Sequence, residues 1–176
     1  WVKNSRSDYA YDNNGNLLNT GSMTNTWDTA NRLTNAINAT NPTNAVTPIY
    51  NGDNDRIGQT VGITTTYFAL DSALSLPEVI YTNEGNAYLH LPGVIVAESA
   101  GGEVRYLLSD GLGSVRQAVD DNAKVVSYYE FDPYGNPVNN TGGDPYGFTG
   151  EWYEGDIELL HLRARWYSAE SGTFLS

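Results

Sequence analysis

The stretch Tyr9-Ala10-Tyr11-Asp12-Asn13-Asn14-Gly15-Asn16-Leu17-Leu18 decides the fold. Tyr9 and Tyr11 lie two apart, so on a strand they share one face. Asp12-Asn13-Asn14-Gly15-Asn16 then supplies turn chemistry. Asp and Asn side chains bond the local backbone, and Gly15 accepts the positive φ that a tight reversal needs. Leu17 and Leu18 begin a return strand. Aromatic alternation, a polar turn and an apolar return together predict a β-hairpin.

The unit recurs with drift. Trp27 leads to a turn around Ala30-Asn31 and a return at Leu33, and Tyr50 leads through Asn51-Gly52 to Arg56-Ile57. The spacing is about twenty residues, the range of repeat architectures, and a unit that small must stack on neighbours to bury a face. The polar stretch 37–48, with Pro42 and Pro48, predicts a loop that interrupts the repeats.

From Thr64 the text is more apolar. A strand is expected at 65–70, a turn at Asp71-Ser72, and a further strand at Val79-Ile80-Tyr81. Helix is the rival over 69–76, weakened by Pro77 and by its short length. Pro92-Gly93, Asp110-Gly111 and Asp121-Asn122 separate further β-rich runs, the pattern of an antiparallel meander. No segment sustains a helical period. The expected class is all-β, built of antiparallel hairpin repeats.

Composition narrows function by exclusion. The 176 residues carry a net charge of −12, which opposes a nucleic-acid partner because phosphate binding needs clustered Lys and Arg. It equally opposes an anionic membrane surface. With 13 Tyr, 4 Trp and 17% charged residues, the chain reads as folded rather than disordered. Absence of Cys removes disulfides, thiol nucleophiles and thiolate metal sites. No apolar run approaches the ~18 residues of a membrane span. Trp1-Val2-Lys3 reads as mid-strand text, the expectation for a piece of a longer chain.

Tyr9-x-Tyr11-Asp12 with Gly15-Asn16 resembles the YD repeat of RHS proteins. Downstream, YFALDSALSLPEVIY, YLHLPGVIVAE, YLLSDGLGSVRQAVDDNAKVVSYYEFDPYGN and YGFTGEWYEGDIELLHLRARWYSAESGTFLS resemble the RHS-associated core region, in order. Leu112-Gly113-Ser114-Val115 and Gly147-Phe148-Thr149-Gly150 stand inside those blocks. The resemblance covers nearly the whole chain. It divides the chain into YD-type hairpins over 1–60 and the core region over 61–176.

That resemblance implies one part of a larger spiral β-shell. In family members such a shell encloses a C-terminal toxin or stands at a cell surface, so a secreted or bacterial cell-surface location is expected. Implied partners are the rest of a parent chain or sister copies through strand edges, and an enclosed toxin polypeptide. Many members also cut themselves with aspartate chemistry. This sequence departs from the family near that machinery, with Ser168 after Trp166-Tyr167 where the family favours Asp, and Thr173 after Gly172 where it favours Arg. The structural signature it carries over comprises Tyr9, Tyr11, Asp12, Gly15, Asp110, Leu112, Gly113, Ser114, Asp132, Pro133, Gly135, Gly147, Phe148, Gly150, Arg163, Arg165, Tyr167 and Gly172.

Each chemical motif has a plain structural rival. Asp-Pro-Tyr-Gly occurs at 132–135 and at 144–147. Asp caps, Pro fixes φ and Gly relieves the exit, so both copies read as turns before they read as cleavage sites. Asp110, Asp132, Asp156, Glu158 and Glu170 are the candidates for paired-carboxylate work, which requires two of them in contact. Arg163 and Arg165 are expected to alternate on one face of a final strand, and a buried Arg–carboxylate pair there would lock a seam. His90 and His161, flanked by Leu, read as half-buried strand residues without metal spacing. Asp53 and Asp55 offer calcium a weak set of oxygens within a hairpin turn. The tyrosines are expected to form cross-strand ladders, with a glycan-facing strip as the rival. No motif calls for a cofactor. The reading is a non-enzymatic shell segment, with a self-cleaving core and a surface adhesion or glycan-binding repeat as the alternatives.

Overall fold

The computed structural model describes residues 9–73 and 77–176. The mid-strand reading of Trp1-Val2-Lys3 and the Leu76 end of the stretch before Pro77 lie outside the described residues. Thirteen antiparallel strands form one sheet in strict chain order. They are β1 (Ala10–Tyr11), β2 (Leu17–Asn19), β3 (Met23–Trp27), β4 (Leu33–Asn38), β5 (Val46–Tyr50), β6 (Arg56–Val61), β7 (Thr64–Asp71), β8 (Glu78–Thr82), β9 (Ala87–Leu91), β10 (Val94–Ala100), β11 (Glu103–Ser109), β12 (Val115–Val119) and β13 (Val125–Tyr128). A second sheet holds β14 (Trp152–Glu154), β15 (Leu159–Leu162), β16 (Arg165–Ser168) and β17 (Thr173–Phe174). Helix among the described residues is confined to two short 3-10 turns, Pro42–Asn44 and Phe148–Gly150. None is long and apolar enough to cross a membrane.

Among the described residues one loop is used seven times. It starts at Asp12, Asp28, Asn51, Thr82, Asp110, Asp120 and Asp132. In each, the amide of the first residue donates to the carbonyl four residues on, and the amide three residues on donates back. The side-chain oxygen of the first residue accepts the amide four residues on. The fourth residue has a positive φ in every copy: Gly15, Asn31, Asn54, Gly85, Gly113, Ala123 and Gly135. This is a turn closed by a left-handed residue, whose twist matches the flanking strands. The Asp of each Tyr-Asp-type unit therefore satisfies the loop's own amides, and Gly or Asn three residues on accepts the backbone that L side chains resist.

The polar stretch 37–48 is shorter as a loop than its composition suggests. Asn38 ends β4, Val46 and Pro48 lie in β5, and the connection is made through the turn Pro42–Asn44. Pro48 is tolerated in a strand because Thr47 and Ile49 continue the pairing with β6. Residue 60 falls inside β6.

The small sheet packs on one face of the large one. Leu17, Leu33, Ala36 and Val46 from the large sheet bury with Ile157, Leu159, Trp166 and Leu175. A second core joins Phe68, Tyr88, Ile95, Leu107 and Val115 to Tyr129 and Tyr146, with Trp152 packed against it. The aromatics consequently meet between sheets more than along one: Phe68–Trp152 and Tyr88–Tyr146 are each 5.1 Å apart, and Tyr146–Trp152 is 5.5 Å. Tyr167–Phe174, at 5.4 Å, is a cross-strand pair of the expected kind.

Candidate functional site: the seam between the two sheets

Loop and strap residues of the signature converge at the seam. Ser114 follows the loop that starts at Asp110, and its Oγ accepts the Thr149 amide at 2.9 Å. The Val115 amide donates to the Gly147 carbonyl at 3.0 Å. Gly113 and Gly150 lie so close that a Cβ on Gly150 would sit 3.1 Å from the Gly113 carbonyl. Both have positive φ, which favours glycine at each, and at Gly150 the close approach favours it by space as well. The Leu112-Gly113-Ser114 and Gly147-Phe148-Thr149-Gly150 blocks are thus two halves of one contact. Leu112 itself is 76% exposed at the loop tip.

The loop from Asp132 docks beside them. A Cβ on Gly135 would overlap the Phe148 ring at 2.6 Å, and one on Gly172 would meet Tyr134 at 3.0 Å. Asn136 donates to the Ala169 carbonyl at 3.0 Å, and the Tyr167 hydroxyl donates to the Tyr134 carbonyl at 3.0 Å. The Asn136 side chain, with backbone amides, holds the Asp132 carboxyl below its ordinary value against partial burial. Asp132-Pro133-Tyr134-Gly135 is a turn. The second copy is not: Asp144 has no such loop, and Tyr146 pairs with Trp152 in an isolated bridge. Its Asp faces other side chains, because Pro145 and Tyr146 are drawn onto the small sheet.

Ionic contacts lock the seam deeper in. Arg163 lies in the β15–β16 turn with φ 61°, not on a strand face with Arg165. Its Nη2 reaches Glu78 at 2.8 Å, its Nε reaches Glu151 at 2.8 Å, and its Nη1 donates to the Pro77 carbonyl at 3.0 Å. Arg165 is exposed and stacks over Phe174 at 3.9 Å. The turn separates the two arginines, so only Arg163 faces the large sheet.

Arg56, 4% exposed, is the second lock. Its guanidinium lies 5.0 to 5.2 Å from the ring centres of Phe68, Trp152 and Trp166. Nη1 donates to Gln59 at 2.8 Å, and Gln59 donates to Glu154 at 2.5 Å. Burial pulls the Arg56 value down to about 10 and pushes Glu154 up. His161 is buried against Trp166 at 4.8 Å, deeper than a half-buried strand position. Burial, then the cations Arg56 and Arg163, hold it well below its ordinary value, so it is neutral. A cavity of about 450 Å³ lies between these groups, lined by Tyr50, Arg56, Glu78, Trp152, His161 and Arg163 among others.

The carboxylates singled out in sequence are not brought together. Asp110 binds Arg116 at 2.8 Å, and Asp156 accepts from Asn41 and Asn44. Glu158 and Glu170 are exposed. The buried carboxyls brought to one place are Glu98 and Asp144, which face the Arg105 guanidinium at 3.7 and 2.9 Å. Glu98 sits in the apolar run of β10 and carried no motif, and Asp144 was read as a turn. Asp53 and Asp55 give their amides to Asn51, and Asp55 also accepts from its side chain. Among the described residues no group of three or more His, Asp or Glu side chains is placed to hold a metal ion. Tyr9 packs against the core while Tyr11 is exposed, their rings 6.5 Å apart.

The sequence profile of the teneurin YD-shell family matches residues 2–176. Among curated proteins, the tRNA3(Ser)-specific nuclease WapA of Bacillus spizizenii is 28% identical over 95% of this chain, which covers 8% of that protein. Salivary gland surface protein 1 of Aedes aegypti is 28% identical over 52% of the chain and 3% of its own length. The chain therefore spans less than a tenth of these relatives. In fold it is similar to the TcdB2-TccC3 crystal structure, with a TM-score of 0.71, 15% identity, and coverage of 94% of this chain and 10% of that one. The Photorhabdus luminescens Tc holotoxin pore gives 0.69, 16%, 94% and 9%. The profile match spans the hairpin loops, the core blocks and the seam alike, and this chain belongs to the teneurin YD-shell family.

Proposed function

We propose that this chain is the closing part of a hollow shell that confines a polypeptide cargo, a toxin in the reading favoured here, at or beyond a bacterial cell surface. One observation carries the reading. Thirteen sequential antiparallel strands make a continuous wall, and the four strands that follow fold back onto one face of it. A wall closed in this way has a covered side and an outer side. The work is mechanical, and the buried ionic contacts serve registry rather than turnover. Relatives whose names carry a nuclease, a surface protein and a holotoxin support a large assembly with a separate active part. The signature residues act in this reading as seam and loop elements.

The test uses the lack of native Cys. Glu158→Cys lies in the β14–β15 turn of the small sheet and Tyr106→Cys on the bare face of β11, and both positions are exposed in this chain. Each is placed in the longer protein and treated with a bulky maleimide. Shell closure predicts rapid labelling at 106 and protection at 158, with both labelled in the 176-residue chain. Equal labelling of both sites in the longer protein would overturn the reading.

A further inference from the structure

Residues 139–147 form a strap that leaves the edge strand β13 and crosses to the small sheet. It is held along β13 by the Thr141 amide on the Tyr128 carbonyl at 3.0 Å and by the Tyr128 amide on Thr141 Oγ1 at 2.9 Å. Asn140 Oδ1 accepts the Glu130 amide at 3.0 Å. At its far end Pro145 accepts the Tyr153 amide at 2.7 Å. Between these points the strap makes one charged contact, through Asp144.

Asp144 enters a cluster supplied by every element around it. From β11, Arg105 donates at 2.9 Å to Oδ1. After β13, the Tyr129 hydroxyl donates to Oδ2. From β10, Glu98 turns its carboxyl to the same guanidinium, with Oε1 3.7 Å from Arg105 and without a hydrogen-bond partner of its own. From β9, Tyr88 lies opposite Glu98 in register, and Glu84 acts on Tyr88 from the loop before it. Glu98 and Tyr129 are buried, and the Asp144 side chain is 8% exposed. Gly142 packs against the hydroxyl end of Tyr129, where a Cβ would overlap it.

The charge count decides how this cluster behaves. Two carboxylates face one Arg. With the Glu98 carboxyl protonated the cluster is neutral. Without that proton, one negative charge stays buried and unpaired, which a low-dielectric site resists. We propose that Glu98, facing Asp144 across one Arg105, is a proton-operated latch that holds the strap on the sheet while its carboxyl keeps a proton and releases the strap when that proton passes to water. In the shell reading above, on which this consequence rests, release frees the β13 edge beside the seam and loosens the wall there.

Burial, and then Asp144, push the Glu98 value up to about 8. The folded chain thus holds a proton that the unfolded chain gives up, and this contribution to stability falls as pH rises from the ordinary carboxyl value to about 8. Tyr88 and Tyr129 are pushed upward and keep their protons through that window.

The test is amide hydrogen exchange of residues 139–147 in the 176-residue chain, with protection factors corrected for intrinsic exchange at about pH 6 and about pH 9.5. The latch predicts about a tenfold or larger loss of protection at Thr141 and its neighbours in the wild type, with β4–β6 unchanged. Glu98→Gln keeps the size and polarity of the side chain without the charge and should leave protection flat. If Glu98→Gln does not fold, Asp144→Asn must be flat in its place. Wild-type protection that does not change with pH, or the same loss in the variant, overturns the latch. Neither result bears on cysteine labelling in the longer protein, so the shell reading stands or falls separately.

Discussion

Ser114 Oγ accepts the backbone amide of Thr149 at 2.9 Å, across 35 residues of sequence. Ser114 is fully buried, and the amide it accepts belongs to the half-buried turn residue Thr149. One hydroxyl ties the large sheet's loop to the turn that launches the small sheet. Ser114→Ala should cost about 0.5–1.5 kcal/mol, the net range for one intramolecular hydrogen bond. Chemical denaturation measures it, and a loss under about 0.5 kcal/mol would mean that the seam does not depend on this bond.

Gly15 and Gly135 occupy the same place in the repeated loop, with φ of 89° and 98°. A Cβ on Gly15 meets nothing within 4 Å, whereas one on Gly135 meets Phe148. Gly15→Ala therefore isolates the backbone strain, about 1 kcal/mol. Gly135→Ala adds displacement of a packed ring and should lose about 1–3 kcal/mol more. Equal losses in thermal unfolding would remove Phe148 from the seam.

Arg163 and Arg165 separate in the same kind of experiment. Arg163→Met strands Glu151 and leaves Glu78 with His90 alone, 3.4 Å from its other oxygen, and should destabilise by about 3 kcal/mol or more. Arg163→Lys should not restore the loss, because Nε and Nη2 serve different carboxylates and Lys has no fork. Arg165→Met loses only its stacking on Phe174, about 0.5–1 kcal/mol. Similar effects of the two changes would contradict the lock.

His161 is neutral in the folded chain and takes up a proton only on unfolding. Its folded value lies below its unfolded one, so its contribution is complete above about pH 6.5 and is lost as pH falls. His161→Phe removes that term. The stability difference between wild type and variant should change by up to about 1.4 kcal/mol per pH unit below about pH 6, the value of one proton. A difference that does not vary with pH would place His161 in contact with water.

The local code was legible and the long-range code was not. Asp12-x-x-Gly15 carries its whole explanation within five residues, since donor, acceptor and left-handed residue are neighbours in sequence. The same loop at Thr82 and Asp120 was harder to see, because Thr replaces Asp in one and Ala123 takes the left-handed place in the other. Arg163 and Arg165 looked equivalent from alternation alone, but the turn between β15 and β16 lies between them. Glu98 and Asp144 carried no pairing signal, as their meeting at Arg105 depends on how the strap returns across 46 residues. The aromatic alternation announced strands correctly and said nothing of the partner sheet, so the Tyr88, Tyr146 and Trp152 cluster was expected as ladders.

The central claim is that β14–β17 fold back onto the large sheet. Trp166 Nε1 donates to the Tyr50 hydroxyl at 3.2 Å, 116 residues away, and no local structure would bring them together. The direct measurement is the nuclear Overhauser effect between the Trp166 indole N–H and the Tyr50 ring, with the exchange rate of that proton. The account predicts a strong cross-peak and slow exchange. No cross-peak, with the indole proton exchanging as in free tryptophan, would contradict it.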